Sequence, residues 1–132
     1  RYLRRMHDAL EKDKVDKAIR ILLGFYEEKK NVPEYDLAIV ERFIGNLYFR
    51  TAEENQDHRA LAMEYLNKAI QGGVLPEQEH QQCLELLVSL YYWNGDTTNA
   101  INYAIGYLHY SPRRVHVMPD ERWITLVQKA TS

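Results

Sequence analysis

Two side chains that can bind metal ions, His80 and Cys83, stand three residues apart in a segment with helical spacing. Residues at positions i and i+3 share one face of a helix, so an imidazole and a thiolate could meet one ion there. Protein zinc sites use three or four ligands, and no third histidine or cysteine lies nearby in the sequence. The pattern therefore favours a buried small residue at Cys83 over a metal centre.

The other titratable residues show no spacing that is typical of catalysis. The remaining four histidines are scattered, and the chain contains no nucleophile elbow, phosphate loop, HExxH motif or dinucleotide fingerprint. Paired acids such as Glu27-Glu28 are typical of solvated helix ends. We therefore expect no enzymatic activity, no cofactor and no metal.

The composition is that of a single soluble domain. Of the 132 residues, 45% are hydrophobic and 27% are charged, and the net charge of −2 gives no argument for nucleic acid or for an anionic membrane. No apolar run approaches the roughly 18 residues of a membrane-spanning helix. The chain starts at Arg1 in a segment that already has helical spacing, so we expect a domain cut from a longer protein.

Apolar residues recur at helical spacing in seven segments. These segments are about 1–12, 14–30, 34–52, 58–71, 76–93, 97–110 and 119–130. Pro33, Pro76 and Gly72-Gly73 mark helix boundaries, while Asp57 and Asp96 are predicted N-caps. Ser111-Pro112 ends the sixth segment, and 113–118 form a connector. Because no segment alternates apolar and polar residues, the sequence predicts an all-α fold.

The helical segments repeat in pairs. LELLVSLYYWNGDTTNAINYAIGYLHYSP contains two apolar helical patterns separated by Asn94-Gly95-Asp96, and the same layout occurs upstream as ERFIGNLYF followed by ALAMEYLNKAI. MHDAL followed by VDKAIRILL is a weaker version. Helix pairs that repeat at intervals of about 34 to 44 residues indicate an α-solenoid, because one pair cannot bury its apolar face alone. The units are about 1–32, 33–73 and 76–112, with a capping helix at 119–130 in which Trp123 covers the open end.

The spacing resembles the tetratricopeptide repeat (TPR), a helix pair of about 34 residues. The third unit matches at Leu84, Leu87, Tyr91, Ala100, Ala104 and Pro112. The second unit matches at Ile44, Gly45, Tyr48, Ala62, Leu66 and Ala69. The first unit retains only Ala18 and Leu22. Val88 and Tyr107 depart from the family, which has small residues there, and the turn inside the second unit is longer than the family's.

The resemblance implies a concave groove lined by the first helix of each unit. Position by position, it assigns eight residues to that groove: Arg42, Asn46, Phe49, Arg50, Gln82, Glu85, Ser89 and Tyr92. Guanidinium and amide groups could hold a peptide carboxylate or main chain, and the two aromatic rings could anchor an apolar side chain. The alternative for each residue is an ordinary solvated or packing role.

Two narrower resemblances bear on the partner. RFIGN resembles the K-x-x-G-N start of chaperone-binding TPR clamps, but Leu86 stands where the clamp has asparagine, and Glu85 would repel an acidic C-terminus. EHQQCLELLVSLYYWNGDTTNAINYAIGYL, with ERFIGNLYF before it, is similar to TPR proteins that accompany bacterial TonB systems. That similarity implies a periplasmic adaptor; without it, the chain would be cytoplasmic.

The sequence thus predicts a three-unit, TPR-like solenoid that binds a protein or peptide as a scaffold or adaptor, without nucleic acid and without membrane insertion. The alternative is a structural module that stacks protomers into a homo-oligomer or docks neighbouring domains. A helical enzyme or regulatory domain is a third hypothesis, which the lack of a catalytic set disfavours.

Overall fold

A computed structural model describes residues 2–28 and 31–110 of the chain, and six α-helices but no strand occur in these ranges. They are α1 (Tyr2–Glu11), α2 (Val15–Glu27), α3 (Glu34–Phe49), α4 (Gln56–Gln71), α5 (Glu77–Trp93) and α6 (Thr97–Tyr110). The all-α prediction is confirmed for this part of the chain. The predicted stop at Ser111-Pro112, the connector and the capping helix lie outside the described residues.

Two helices end earlier than their apolar patterns predicted. α2 ends at Glu27 and not near 30, with the following main-chain N–H still donating to the carbonyl of Gly24 at 3.2 Å. α3 ends at Phe49 and not at 52, because Thr51 and Ala52 donate to carbonyls three residues back, at 3.3 and 3.1 Å. Such i to i+3 bonds tighten the chain into turns and end the α-helical ladder.

One of the two predicted N-caps is wrong and the other is confirmed. α4 begins two residues before the prediction, and its cap is Asn55, whose Oδ1 accepts from the main-chain N–H of His58 at 3.0 Å. Asp57 instead lies in the first turn, where a negative charge complements the helix dipole. Asp96 caps α6 as predicted, and its Oδ1 accepts from the N–H of Asn99 at 3.1 Å.

The predicted glycine and proline boundaries also occur. Gly73 and Gly95 adopt φ angles of +67° and +75°, a left-handed conformation that glycine takes without a steric penalty. Pro33 and Pro76 each lie immediately before a helix, with ψ angles of 144° and 151°. They therefore fix where α3 and α5 begin.

Helices adjacent in the chain pack most extensively as the pairs α1–α2, α3–α4 and α5–α6. In the second pair, a Cβ placed on Gly45 would contact Leu66, and one placed on Gly72 would contact Glu34, so the two helices run in opposite directions. In the third pair, the rings of Tyr91 and Tyr103 stack with their centroids 5.2 Å apart.

Between the pairs, the most extensive packing joins α2 to α3 and α4 to α5. Side-chain contacts also join odd-numbered helices to one another and even-numbered helices to one another. The odd helices meet through ring contacts between His7 and Phe43 at 6.3 Å, and between Phe49 and Trp93 at 5.3 Å. The even helices meet through Tyr26 and Tyr65, whose rings lie 5.7 Å apart, and through the Tyr103 hydroxyl, which donates to Asn67. The described helices therefore lie in two layers.

The buried side chains form three clusters that follow the order of the helices. The first joins α1, α2 and α3 around Met6, Leu22 and Ile44. The second lies between α3, α4 and α5, and the third lies between α5 and α6. Tyr107, which stands where a small residue was expected, is fully buried in the third cluster. Burial is thus distributed along the stack of helices.

Candidate functional site

The candidate site lies along α3 and α5, which carry all of the predicted groove residues within or next to them. At one end, the Arg42 guanidinium is close enough to the Cys83 thiol to lower its pKa, although burial, the larger effect, raises that pKa to about 12. At the other end, the ring of Phe49 lies against the ring of Trp93. Because these two contacts keep the same order along both helices, α3 and α5 run side by side in the same direction.

Arg42 is half-buried in α3, and its Nε is buried without a hydrogen-bond partner. Its guanidinium carbon lies 5.2 Å from the centre of the Phe43 ring, a distance typical of a cation–π contact. Asn46, one turn further along, uses one amide N–H within the helix, donating to the carbonyl of Arg42 at 2.8 Å. The structure therefore brings these two residues together. Arg42 keeps a hydrogen-bond donor without an acceptor, whereas the Asn46 amide is hydrogen-bonded within the helix.

Phe49 and Arg50 occupy the end of α3 and differ in environment. Phe49 is half-buried and contributes to the packing of α3 on α5 through Trp93. Trp93 holds its indole Nε1 buried without a hydrogen-bond partner. Arg50 is exposed at the start of the α3–α4 turn. At this end of the site, the aromatic pair is part of the interface between helices and the arginine faces solvent.

The α5 residues of the prediction also differ in exposure. Gln82 is exposed, Ser89 is half-buried, and Tyr92 keeps 41% of its surface exposed. Glu85 is half-buried, and its negative charge adds to the burial that raises the pKa of Tyr107 on α6 to about 12. Glu85 is therefore close enough to α6 for its charge to act on Tyr107.

Two residues near the site escaped the sequence reasoning. Trp93 follows Ser89 by four residues, so the same helical spacing that selected Ser89 could have found it. Gln81 is fully buried, with neither its amide nitrogen nor its oxygen hydrogen-bonded. Glutamine is a surface residue in most helices, so its position beside exposed Gln82 gave no signal of this burial.

The His80–Cys83 pair shows the properties of a packed interior. Cys83 is fully buried in the second cluster, as the sequence favoured. Burial also lowers the pKa of the His80 imidazole. In residues 2–28 and 31–110, no group of three or more His, Cys, Asp or Glu side chains is placed to hold a metal ion. Burial also raises the pKa of the Cys83 thiol to about 12. The thiol is therefore a poor nucleophile at neutral pH, because the thiolate is the reactive form.

Comparison with known proteins gives no family for this chain. No protein-family model matches it, and no curated protein shows significant similarity to it. Among the helices that the structure describes, none has both the length and the apolar character required to cross a membrane.

Proposed function

We propose that this chain is a TPR-like helical-repeat module that binds a protein or peptide segment in the groove between α3 and α5. The pairing of neighbouring helices, the two layers and the serial clusters of buried residues support a solenoid of three units. In such an array the first helices of successive units form one surface, and here α1, α3 and α5 contact each other in that order.

The observation that carries the proposal is the buried Nε of Arg42, which has no hydrogen-bond partner although it lies between two parallel helices. A buried N–H without an acceptor destabilises a protein by about 1–3 kcal/mol, so proteins rarely leave one without a reason. The Nε itself is closed to solvent, so a carboxylate or a main-chain carbonyl from a partner would pair with the terminal nitrogens of this half-buried guanidinium. Such a group would provide the charge complement that the described fold omits. Arg42 would therefore select an acceptor group.

Tyr92 provides the second anchor of the proposed groove. It is one of only a few large apolar side chains that stay substantially exposed in the described residues. Tyrosine offers a large, rigid contact surface and a hydroxyl, and interfaces concentrate affinity in a few such residues. A preformed groove on two packed helices also reduces the entropy lost on binding, because its backbone is already ordered.

Selection of peptides from a random phage-displayed library, followed by fluorescence anisotropy with a selected peptide, tests the proposal. The Arg42→Ala/Tyr92→Ala variant should bind about tenfold or more weakly, equivalent to at least about 1.4 kcal/mol. The matched control, Arg20→Ala/Ile105→Ala, removes an exposed arginine and an exposed apolar residue from α2 and α6, and it should bind like the wild type. Equal weakening of both variants, or of neither, contradicts a site in this groove.

The self-assembly alternative is favoured by one observation on α6. Ile105 and Leu108, three residues apart on this helix, are each 37% exposed. Apolar residues on one face of a helix can pack against another protomer. Light scattering should then show a mass that rises with protein concentration in the wild type and stays monomeric in an Ile105→Glu/Leu108→Glu variant. A monomer at all concentrations contradicts this alternative. The periplasmic adaptor role that the TonB-system resemblance implies stays a prediction.

A further inference from the structure

A cavity of about 220 Å³ opens between α1 and α2, next to the turn that joins them. Its walls carry four cationic side chains: Arg5 and Lys12 from the α1 side, and Lys14 and Lys17 from the α2 side. Asp8 supplies the single carboxylate in the lining. Four cations against one carboxylate give this cavity a strong local excess of positive charge, although the whole chain has a net charge of −2.

These cations are not paired within the fold. Across the described residues, the only ion pair within 4.0 Å joins Lys68 to Glu64, far from this cavity in the sequence. Like charges around one cavity repel one another. An anion bound between them attracts each cation and so offsets that repulsion. All four cationic residues are exposed, so the opening is accessible from solvent.

The acidic residues of the turn lie mainly on its other side. Asp13 and Asp16 line a neighbouring cavity together with Arg20, and that cavity shares Lys14 and Lys17 with the first one. The two carboxylates reduce the positive potential at the shared lysines. They do not line the first cavity, where Arg5 and Lys12 complete a mainly cationic wall.

The main chain adds to the positive potential at this cavity. Lys14 is the N-cap residue of α2, and its side chain makes no capping hydrogen bond. The first N–H groups of this 13-residue helix therefore receive no acceptor from the N-cap residue, and Asp16 in the same first turn offsets part of their positive charge. Such N–H groups carry a partial positive charge that favours anions.

We propose that this cavity binds a phosphate group, either as free phosphate or as the phosphate monoester of a small metabolite. A tetrahedral dianion can accept hydrogen bonds from cations on both walls at once, and the planar Arg5 guanidinium can bind two of its oxygens. The cavity is smaller than the about 300–1,000 Å³ typical of sites for drug-sized ligands, so it suits a compact anion. This site is separate from the α3–α5 groove and does not depend on it.

An NMR titration of ¹⁵N-labelled protein with orthophosphate, at constant ionic strength maintained with chloride, tests the inference. We expect saturable shifts of the amides of Lys12, Lys14 and Lys17. The Lys12→Gln/Lys17→Gln variant should lose about tenfold or more in affinity, while Lys12→Arg/Lys17→Arg, which keeps both charges, should retain it. Lys68→Gln, a control that removes a lysine outside the cavity, should bind as the wild type does.

The same titration identifies the source of the phosphate. Tighter binding of glycerol 3-phosphate than of orthophosphate supports a metabolite ligand, and equal or weaker binding supports free phosphate. Phosphate should also raise the melting temperature of the wild type but not of the glutamine variant. A cooperative melting transition of that variant without phosphate, near the wild-type temperature, shows that it is folded and has lost only the site. Shifts that do not saturate, or equal affinity in the glutamine variant, would overturn the proposal.

Discussion

α3 packs closely against α4 at Gly45, and this contact allows a sharp test of the packing. A Cβ at this position would lie 2.6 Å from Cγ and 2.7 Å from Cδ2 of Leu66, and 3.2 Å from its main-chain nitrogen. Leu66 is fully buried in the second cluster, so its side chain can move only by displacing packed neighbours. Gly45→Ala should therefore force a shift of packed atoms, which typically costs about 1–3 kcal/mol.

Gly24 provides the matched control for this substitution. It lies inside α2, is exposed, and a Cβ there would have no heavy atom within 4 Å. Alanine in a helix interior is favoured over glycine by about 0.5–1 kcal/mol, because glycine loses more backbone entropy on folding. Since this gain applies equally to Gly45 and Gly24, the difference between the two variants isolates the clash at about 1–3 kcal/mol.

Urea unfolding followed by circular dichroism measures both variants under the same conditions. We expect Gly24→Ala to unfold at a higher midpoint than the wild type and Gly45→Ala to unfold at a lower midpoint than Gly24→Ala, with unchanged slopes. Similar free energies of unfolding for the two variants would refute the close approach of α3 and α4, and with it the helix pairing described above.

Three further predictions concern polar contacts of the fold. Arg59 donates to main-chain carbonyls of the α3–α4 turn and of the last residue of α5, at 2.9 to 3.2 Å, so Arg59→Ala should lower the free energy of unfolding by about 1–3 kcal/mol in urea. Arg59→Lys should not restore it, and wild-type stability in the lysine variant would contradict this role. Hydrogen bonds from Asn99 hold the pKa of Asp96 below its usual range, so the stabilisation by Asp96 should be present above about pH 4 and lost as the pH falls through the lowered pKa. The loss of stability caused by Asp96→Ala in thermal unfolding should therefore become smaller in acid. The loss caused by Asn55→Ala, about 0.5–2 kcal/mol, should not change with pH. If the two losses had the same pH dependence, the assignment to Asp96 would be wrong. Tyr103→Phe removes the hydroxyl that donates to Asn67 and should cost about 1–3 kcal/mol by chemical denaturation, and an unchanged stability would show that this contact between α4 and α6 is not formed in solution.

Helix positions could be predicted from the sequence because their signals are local. Glycine permits the positive φ angles found at Gly73 and Gly95, where the helices end. Proline fixes its own φ angle and lacks an N–H, which sets the start of α3 and of α5. The cap of α4 was mispredicted because Asn55 and Asp57 are both good capping residues, two positions apart. The choice between them depends on how the α3–α4 turn closes, which no local pattern determines.

The candidate site could be predicted only in part, since its geometry depends on contacts between distant segments. The sequence favoured burial of Cys83, and the structure confirms it. The TPR resemblance assigned Tyr92 to a groove, and that assignment stays a prediction. Helical spacing did not reveal that Phe49 would pack on Trp93, because that contact joins helices more than 40 residues apart in sequence. Nor did it show that Glu85 would lie close enough to α6 to act on Tyr107.

The measurement that tests the central claim most directly is an NMR titration of the ¹⁵N-labelled domain with a peptide selected by phage display. The proposed groove predicts that the largest shifts fall on the amides of α3 and α5, around Arg42, Ser89 and Tyr92, and that they are lost in the Arg42→Ala/Tyr92→Ala variant. Shifts concentrated on α2, α4 or α6 would contradict the account and place the binding surface on the opposite layer of helices. Shifts on α3 and α5 that persist in the variant would contradict the assignment of Arg42 and Tyr92 as the anchors.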